Sequence, residues 1–186
     1  MPQPMRPVAF LMLFTASLVV AACSSPVETP DQPGTPGGGL PDDSGPQPLT
    51  DAGLFADATA DTQWTWYKLS ADTLSPASDS PHFARLRTRY NSIAATALDG
   101  AGRVAAGTIF ADGALIVKEI YKDGALAVVA VMIKATGDPN AGHGAWLWAE
   151  YSPGGGVLHS LASSGETCHA CHLPGLDHTR MNDAHP

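Results

Sequence analysis

The chain is 186 residues long, 44% hydrophobic and 15% charged, with 18 acidic against 10 basic side chains and a formal net charge of −8 at pH 7. That charge argues against nucleic acid or an anionic lipid surface as the partner, because both would repel it. The length allows one domain with a single core once terminal extensions are set aside, and no internal repeat divides it further.

Residues 1–22 carry one positive charge at Arg6, an apolar run over 8–22 and small residues leading into Cys23. The run is shorter than the roughly 20 residues that cross a hydrocarbon core and it ends at a processing site, the pattern of an export signal. Val20-Ala21-Ala22-Cys23 resembles the lipobox of bacterial lipoproteins, which implies lipidation of the Cys23 sulfur and cleavage before it. An ordinary secretory signal with Cys23 as a spare thiol is the alternative. The expected location is a bacterial membrane, held through the lipid alone and facing the periplasm or the cell surface, with Ser24 favouring the outer membrane. Residues 23–50 are rich in Pro, Gly and Asp and too poor in apolar surface to offset the entropy of ordering, so they are expected to form an extended tether. Residues 51–186 are the expected folded domain.

Within that domain Trp64 and Trp66 alternate in TQWTWYKL, and HFARLRTRYN over 82–91 sets Arg85, Arg87 and Arg89 against Ala84, Leu86, Thr88 and Tyr90. A period of two is that of a strand with one face on the core. Asn91 is placed to cap a helix over SIAATAL that stops near Gly100. The runs ALIVKEIY and ALAVVAVMIK flank Lys122-Asp123-Gly124, whose Gly permits the positive backbone angle of a tight hairpin. After the loop ATGDPNAGHG, Trp146 and Trp148 alternate again in AWLWAEY; SPGGG breaks the chain once more, and residues 163–170 are expected as a short helix. The sum is a mainly β (α+β) fold, an antiparallel sheet with a few helices.

Cys168-His169-Ala170-Cys171-His172 is a C-x-x-C-H motif, the attachment pattern of a c-type haem. Two thiols three positions apart reach the two vinyl groups on one porphyrin edge, and the adjoining imidazole serves the iron. The expectation is one covalent haem c per chain through Cys168, Cys171 and His172. With Cys23 lipidated, no thiol is left over in an oxidising compartment. Two other uses of the motif stand beside this one. A zinc or copper site would take Cys168, His169, Cys171 and His172, with His178 or His185 in support. A thioredoxin-like redox pair would need the C-x-x-C to open a helix in a βαβ unit.

With that motif placed, residues 64–183 resemble the cytochrome P-460 family, which includes the β-sheet cytochromes c-prime, through WTWYKL, SPHFARLRTRYN, DGALIVKE, MIKATGDPNAGHGAWLWAEY, ETCHACH and DHTR in that order. The resemblance implies an antiparallel sheet, usually in a homodimer, with the haem on one sheet face. It implies an iron bound by His172, with the sixth position left for small nitrogen oxides. In the enzymatic branch a lysine is bonded to the porphyrin rim and hydroxylamine is oxidised; the other branch lacks the bond and binds nitric oxide. Lys118 matches the cross-linking lysine. The carboxylate that enzymatic members carry immediately before the first haem cysteine is replaced here by Thr167, with Glu166 one residue further back. The segment from Lys118 to Cys168 also looks shorter than in hydroxylamine-oxidising members.

The function expected is therefore that of an exported, lipid-anchored mono-haem cytochrome whose open axial site binds or transforms nitric oxide or hydroxylamine. If it is an enzyme, it is a hydroxylamine-oxidising haem oxidoreductase in which Lys118 and Glu166 carry the chemistry. The alternative is a six-coordinate periplasmic electron carrier, with Met132, His143, His178 or Met181 as sixth ligand. Either way a redox partner protein is expected, of a kind that the sequence does not identify. Arg85, Arg87 and Arg89 could hold haem propionates but are expected as a solvated strand face. His82 is expected as a strand-end histidine, and the four tryptophans as core or pocket wall.

Overall fold

Alternating apolar residues in successive runs pair into one six-stranded sheet, described by a computed structural model over residues 48–60, 63–75, 82 and 85–180. The export signal, Cys23 and the tether up to residue 47 lie outside the described residues, as do Met181 and His185. The strands are β1 (Thr65–Trp66), β2 (Arg85–Tyr90), β3 (Leu115–Lys122), β4 (Ala125–Lys134), β5 (Trp146–Tyr151) and β6 (Val157–His159), each antiparallel to the one before it. With every neighbouring pair antiparallel, the described sheet has no βαβ crossover, and the longer connections, over 67–84 and 91–114, join β1 to β2 and β2 to β3. The β3–β4 hairpin turns on Asp123 (φ 52°) and Gly124 (φ 83°), two successive positive angles that match the twist of the strands they join.

Period-two patterning gives the sheet two different apolar faces. One carries Leu115, Val117, Val129, Val131, Leu147, Ala149 and Tyr151, covered by helix α1 (Asp51–Thr59) through Leu54 and Ala58. The other carries Tyr90, Ile116, Met132, Trp146 and Trp148, joined by Tyr67, Phe110 and the side chain of Cys168. In β2, Leu86, Thr88 and Tyr90 are all buried, as the alternation requires. Trp146 and Tyr151, on opposite faces of one strand, are fully buried, and each aromatic side chain removes on the order of 150–250 Å² from water.

The helices differ in detail from what the sequence pattern suggests. Asn91 does cap helix α2, its Oδ1 accepting from the amide of Ala94 at 2.8 Å, but the helix covers only Ser92–Ala95. The same Oδ1 also accepts from Leu115 N at 3.1 Å, which ties the cap to β3 and turns the chain out of the helix early. The C-terminal helix, α3, covers Glu166–His172, displaced toward the C-terminus from the expected 163–170. Ser164 and Gly165, at φ 51° and 65°, hold left-handed backbone that separates it from a 3₁₀ turn at Leu161–Ser163. Helix α1 has no counterpart among the expectations. Its N-cap is Thr50, whose hydroxyl accepts from Gly53 N, and Leu49 N donates to Asp138, so the ordered chain takes in the last residues assigned to the tether.

Asp51 fastens α1 to the segment that leads into α3. Its carboxylate accepts from Leu161 N at 3.0 Å, from the Ser160 hydroxyl at 2.6 Å and from the Tyr151 hydroxyl at 3.3 Å. Removing it leaves three donors short of a partner. Asp51→Ala is expected to lower stability by about 2–3 kcal/mol in urea unfolding of the haem-loaded protein. A loss under about 0.5 kcal/mol, the range of an ordinary surface change, would show that α1 docks through Leu54 and Ala58 alone.

Candidate functional site

Helix α3 lies on the face of the sheet formed by Ile116, Met132, Trp146 and Trp148, with Cys168 packed among them and Cys171 exposed. Two features force this close approach. Gly165 has no side chain, and a Cβ there would come within 2.1 Å of the Trp148 ring; its φ of 65° is moreover one that a larger residue adopts only with strain. The two cysteines are free and sit three positions apart on one helix, followed directly by His172. Burial pushes the Cys168 thiol up, Glu150 adds to the effect, and the Thr167 hydroxyl partly offsets it.

After α3 the chain folds back over its own helix. Asp177 and His178 both have positive φ, 44° and 61°, and Thr179 is buried. Gly175 closes the turn so tightly that a Cβ would lie 1.8 Å from the Thr179 carbonyl. The His178 carbonyl then sits 2.9 Å from Nδ1 of His172, so that Nδ1 carries the proton that it donates and Nε2 keeps its lone pair. The His172 imidazole is held neutral, its pKa pushed down to about 4 by burial first and then by the nearby charge of Lys118, with the His178 carbonyl acting the other way. A neutral imidazole with one free nitrogen is what a metal requires.

Lys118 occupies β3 on this same face, between Ile116 and Ile120, opposite Thr88 on one side and Ala130 on the other. Its Nζ donates to the carbonyl of Arg180 at 3.2 Å. Burial, then the charge of Arg180, pushes its pKa down to about 8, and Glu150 partly restores it. Arg180 in turn donates to the Cys171 carbonyl at 3.1 Å, so one loop meets His172, Lys118 and the end of α3.

Glu166 opens α3 with its side chain 74% exposed and bonded at 3.0 Å to Nε2 of His143. His143 stacks on His169 with ring centroids 3.3 Å apart, and His178 lies 5.1 Å beyond. Met132 is core, paired in register with Ile116 and Trp148. Arg87 and Arg89 lie on the opposite face; both pair with Glu119, at 2.6 and 3.4 Å, and stack over Trp66 and Trp64 at 4.6 Å. They are neither a row of propionate ligands nor a simply solvated face.

The donor set fits a c-type haem. Two thiols lie on one helix face, a neutral imidazole keeps Nε2 free, and Trp148 Nε1 and His178 Nδ1 are buried without hydrogen-bond partners on the same side. Among the described residues no group of three or more His, Cys, Asp or Glu side chains is placed to hold a metal ion, so the zinc or copper alternative finds no ligand set there. The all-antiparallel sheet removes the setting of a thioredoxin-like pair.

The residues that sequence reasoning did not mark are Asp177, Lys134 and Arg180. Asp177 and Lys134 form an ion pair of 2.6 Å with both side chains largely buried. The one available signal was DHTR, which the resemblance picked out without assigning it a part. The family model described as Cytochrome P460 matches residues 65–179, from β1 through the loop that follows α3. No curated protein and no solved structure matches the chain.

Proposed function

Since the chain belongs to the cytochrome P-460 family, whose members bind a covalently attached haem c, we propose that it is an exported mono-haem cytochrome anchored through Cys23, with the haem on the α3 face of the sheet and one axial position open to small nitrogen oxides. The observation that carries this reading is His172, which closes the C-x-x-C-H helix and has Nδ1 engaged by the His178 carbonyl, leaving Nε2 for the iron. When bound, the haem supplies a redox-active iron that takes nitric oxide or hydroxylamine as ligand.

The chain's own residues do the rest. The thiols of Cys168 and Cys171 would hold the haem, each S–H adding across one vinyl C=C with no leaving group. His172 remains neutral through the physiological range, so iron need not compete with a proton for it. Of the candidates for a sixth ligand, Met132 lies in the core and His143 is engaged by Glu166 and His169, whereas His178 keeps a buried Nδ1 without a hydrogen-bond partner and Met181 lies outside the described residues. The open site is favoured by the family, and a ligand from His178 or Met181 is what the six-coordinate electron carrier would require.

Binding of nitric oxide is the favoured activity, with hydroxylamine oxidation as the second reading. Lys118 supports the second: it lies on the site face, and with a pKa near 8 about one amine in ten is uncharged and nucleophilic at pH 7. Against it stands Glu166, which faces solvent on His143; the carboxylate whose charge acts on both Lys118 and Cys168 is Glu150. A homodimer and a separate redox partner protein complete the proposal. Among the described residues no helix is long and apolar enough to cross a membrane, and on this reading the lipid on Cys23 is the attachment.

Three measurements check this. Absorption and resonance Raman spectra of the ferrous protein are expected to show a five-coordinate high-spin iron, and a low-spin six-coordinate spectrum would overturn the open site. In digests of haem-loaded protein, a species joining the peptide of Lys118 to that of Cys168, lost in Lys118→Ala, is the mark of the enzymatic branch, while its absence leaves the ligand-binding branch. Detergent-phase partitioning of the protein is expected to disappear in Cys23→Ser, and a wild type that stays in the aqueous phase would rule out the anchor.

A further inference from the structure

We propose that Asp177 is a positioning residue for His172: buried against Lys134, it fixes the turn whose carbonyl holds the imidazole, and through that turn it sets how strongly His172 donates to the iron. The inference rests on the reading that His172 is the axial ligand.

The carbonyl that meets His172 Nδ1 belongs to His178, and it points there only because Asp177 and His178 adopt consecutive left-handed angles. Neither residue is glycine, so this backbone persists only where its surroundings over-determine it. Asp177 supplies that determination at three points. Its Oδ2 accepts from Lys134 Nζ at 2.6 Å and from Phe110 N at 2.8 Å, and its own carbonyl accepts from Trp146 Nε1 at 2.8 Å. Lys134 and Trp146 are register partners on β4 and β5, and both are buried. The Lys134 ammonium also lies 5.3 Å from the centre of the Trp146 ring. The sheet thus grips the loop at the residue directly before the carbonyl that matters.

A hydrogen bond from Nδ1–H to a carbonyl moves electron density toward Nε2 and makes the imidazole a stronger donor, and its strength depends on how firmly the carbonyl is aimed. A stronger donor favours ferric over ferrous iron and stiffens the iron–histidine bond. Because Asp177 and Lys134 are desolvated, removing one charge alone leaves the other buried without a partner, whereas removing both leaves none. The ion pair can therefore be taken out without stranding a charge, and its effect on the ligand separated from its effect on folding.

The test uses the haem-loaded, full-length protein as wild type, Asp177→Asn, and the charge-free double variant Asp177→Asn with Lys134→Met. Midpoint potential and the iron–histidine stretching frequency of the ferrous protein are read together with covalent haem content. Expected in both variants are wild-type haem content, a higher potential and a lower stretching frequency; Trp146→Phe, which removes the donor to the Asp177 carbonyl together with part of a buried ring, moves both in the same direction. If Asp177→Asn fails to fold, the double variant carries the measurement. Haem-loaded variants that keep the wild-type potential and frequency, losing thermal stability alone, would make Asp177 a structural clamp and overturn the proposal. A wild type with no iron–histidine stretch would instead overturn the five-coordinate, His172-ligated iron on which it rests.

Discussion

Two backbone carbonyls in one loop meet both nitrogen bases of the site, and the Lys134–Asp177 ion pair holds that loop on the sheet. The His178 carbonyl accepts from His172 and the Arg180 carbonyl from Lys118, at 2.9 and 3.2 Å. Left to itself the segment would not hold this shape, since Asp177 and His178 each adopt an angle that costs roughly 1–3 kcal/mol. A buried ion pair is a poor source of net stability, because the cost of desolvating both charges offsets most of their attraction. It is a good source of definition. In this arrangement the Asp177 carboxylate meets Lys134 and the Phe110 amide while its carbonyl meets Trp146, and the next carbonyl is aimed at His172.

The sheet separates two tasks. On one face α1 and the apolar stripe of β3, β4 and β5 make an ordinary core, and at its edge Arg87 and Arg89 satisfy Glu119 and stack on Trp66 and Trp64. The other face has aromatic rings at one end, Trp146 and Trp148, and polar groups further along, where Thr88, Lys118, Ala130 and Glu150 are successive register partners across β2 to β5. Rigid strands place that polar row, so its spacing does not depend on any loop. The loop contributes what strands cannot, free carbonyls pointing out of the backbone ladder. Gly165 lets α3 approach the aromatic end closely enough for Cys168 to join the cluster there.

Much of this was legible in the sequence. The period-two runs mark β1, β2 and β5, the apolar runs on either side of Asp123-Gly124 mark the β3–β4 hairpin, and Asn91 marks its helix cap, because each feature is local and carried by residue types with one dominant conformational use. The C-x-x-C-H motif is legible because the cofactor itself dictates the spacing. Helix α1 was not, since a nine-residue segment with two buried positions has little amphipathic pattern and owes its helix to Thr50 and to docking. The displacement of α3 also escaped, because Ser164 and Gly165 break the helix through backbone angles that a serine does not advertise. Asp177 and Lys134 lie 43 residues apart and meet only through the fold, and a carbonyl that does the holding leaves no trace in residue identity.

Lys118 and His172 show why this face makes sense only as a place where something is bound. A lysine in a strand between two isoleucines, donating to the Arg180 carbonyl, violates the patterning that the other strands obey. It also charges the surroundings of His172, and burial already disfavours the charged form of each, so both bases are driven toward their neutral states. An apolar pocket could have been made more cheaply from leucine and phenylalanine. A neutral imidazole with its Nε2 lone pair available and a lysine whose charged form is disfavoured, on the face where Cys168 packs, are instead the chemistry that suits a metal and an electrophilic ring edge. Local rules are broken here where a covalently held haem c would restore the balance by accepting the lone pair of His172.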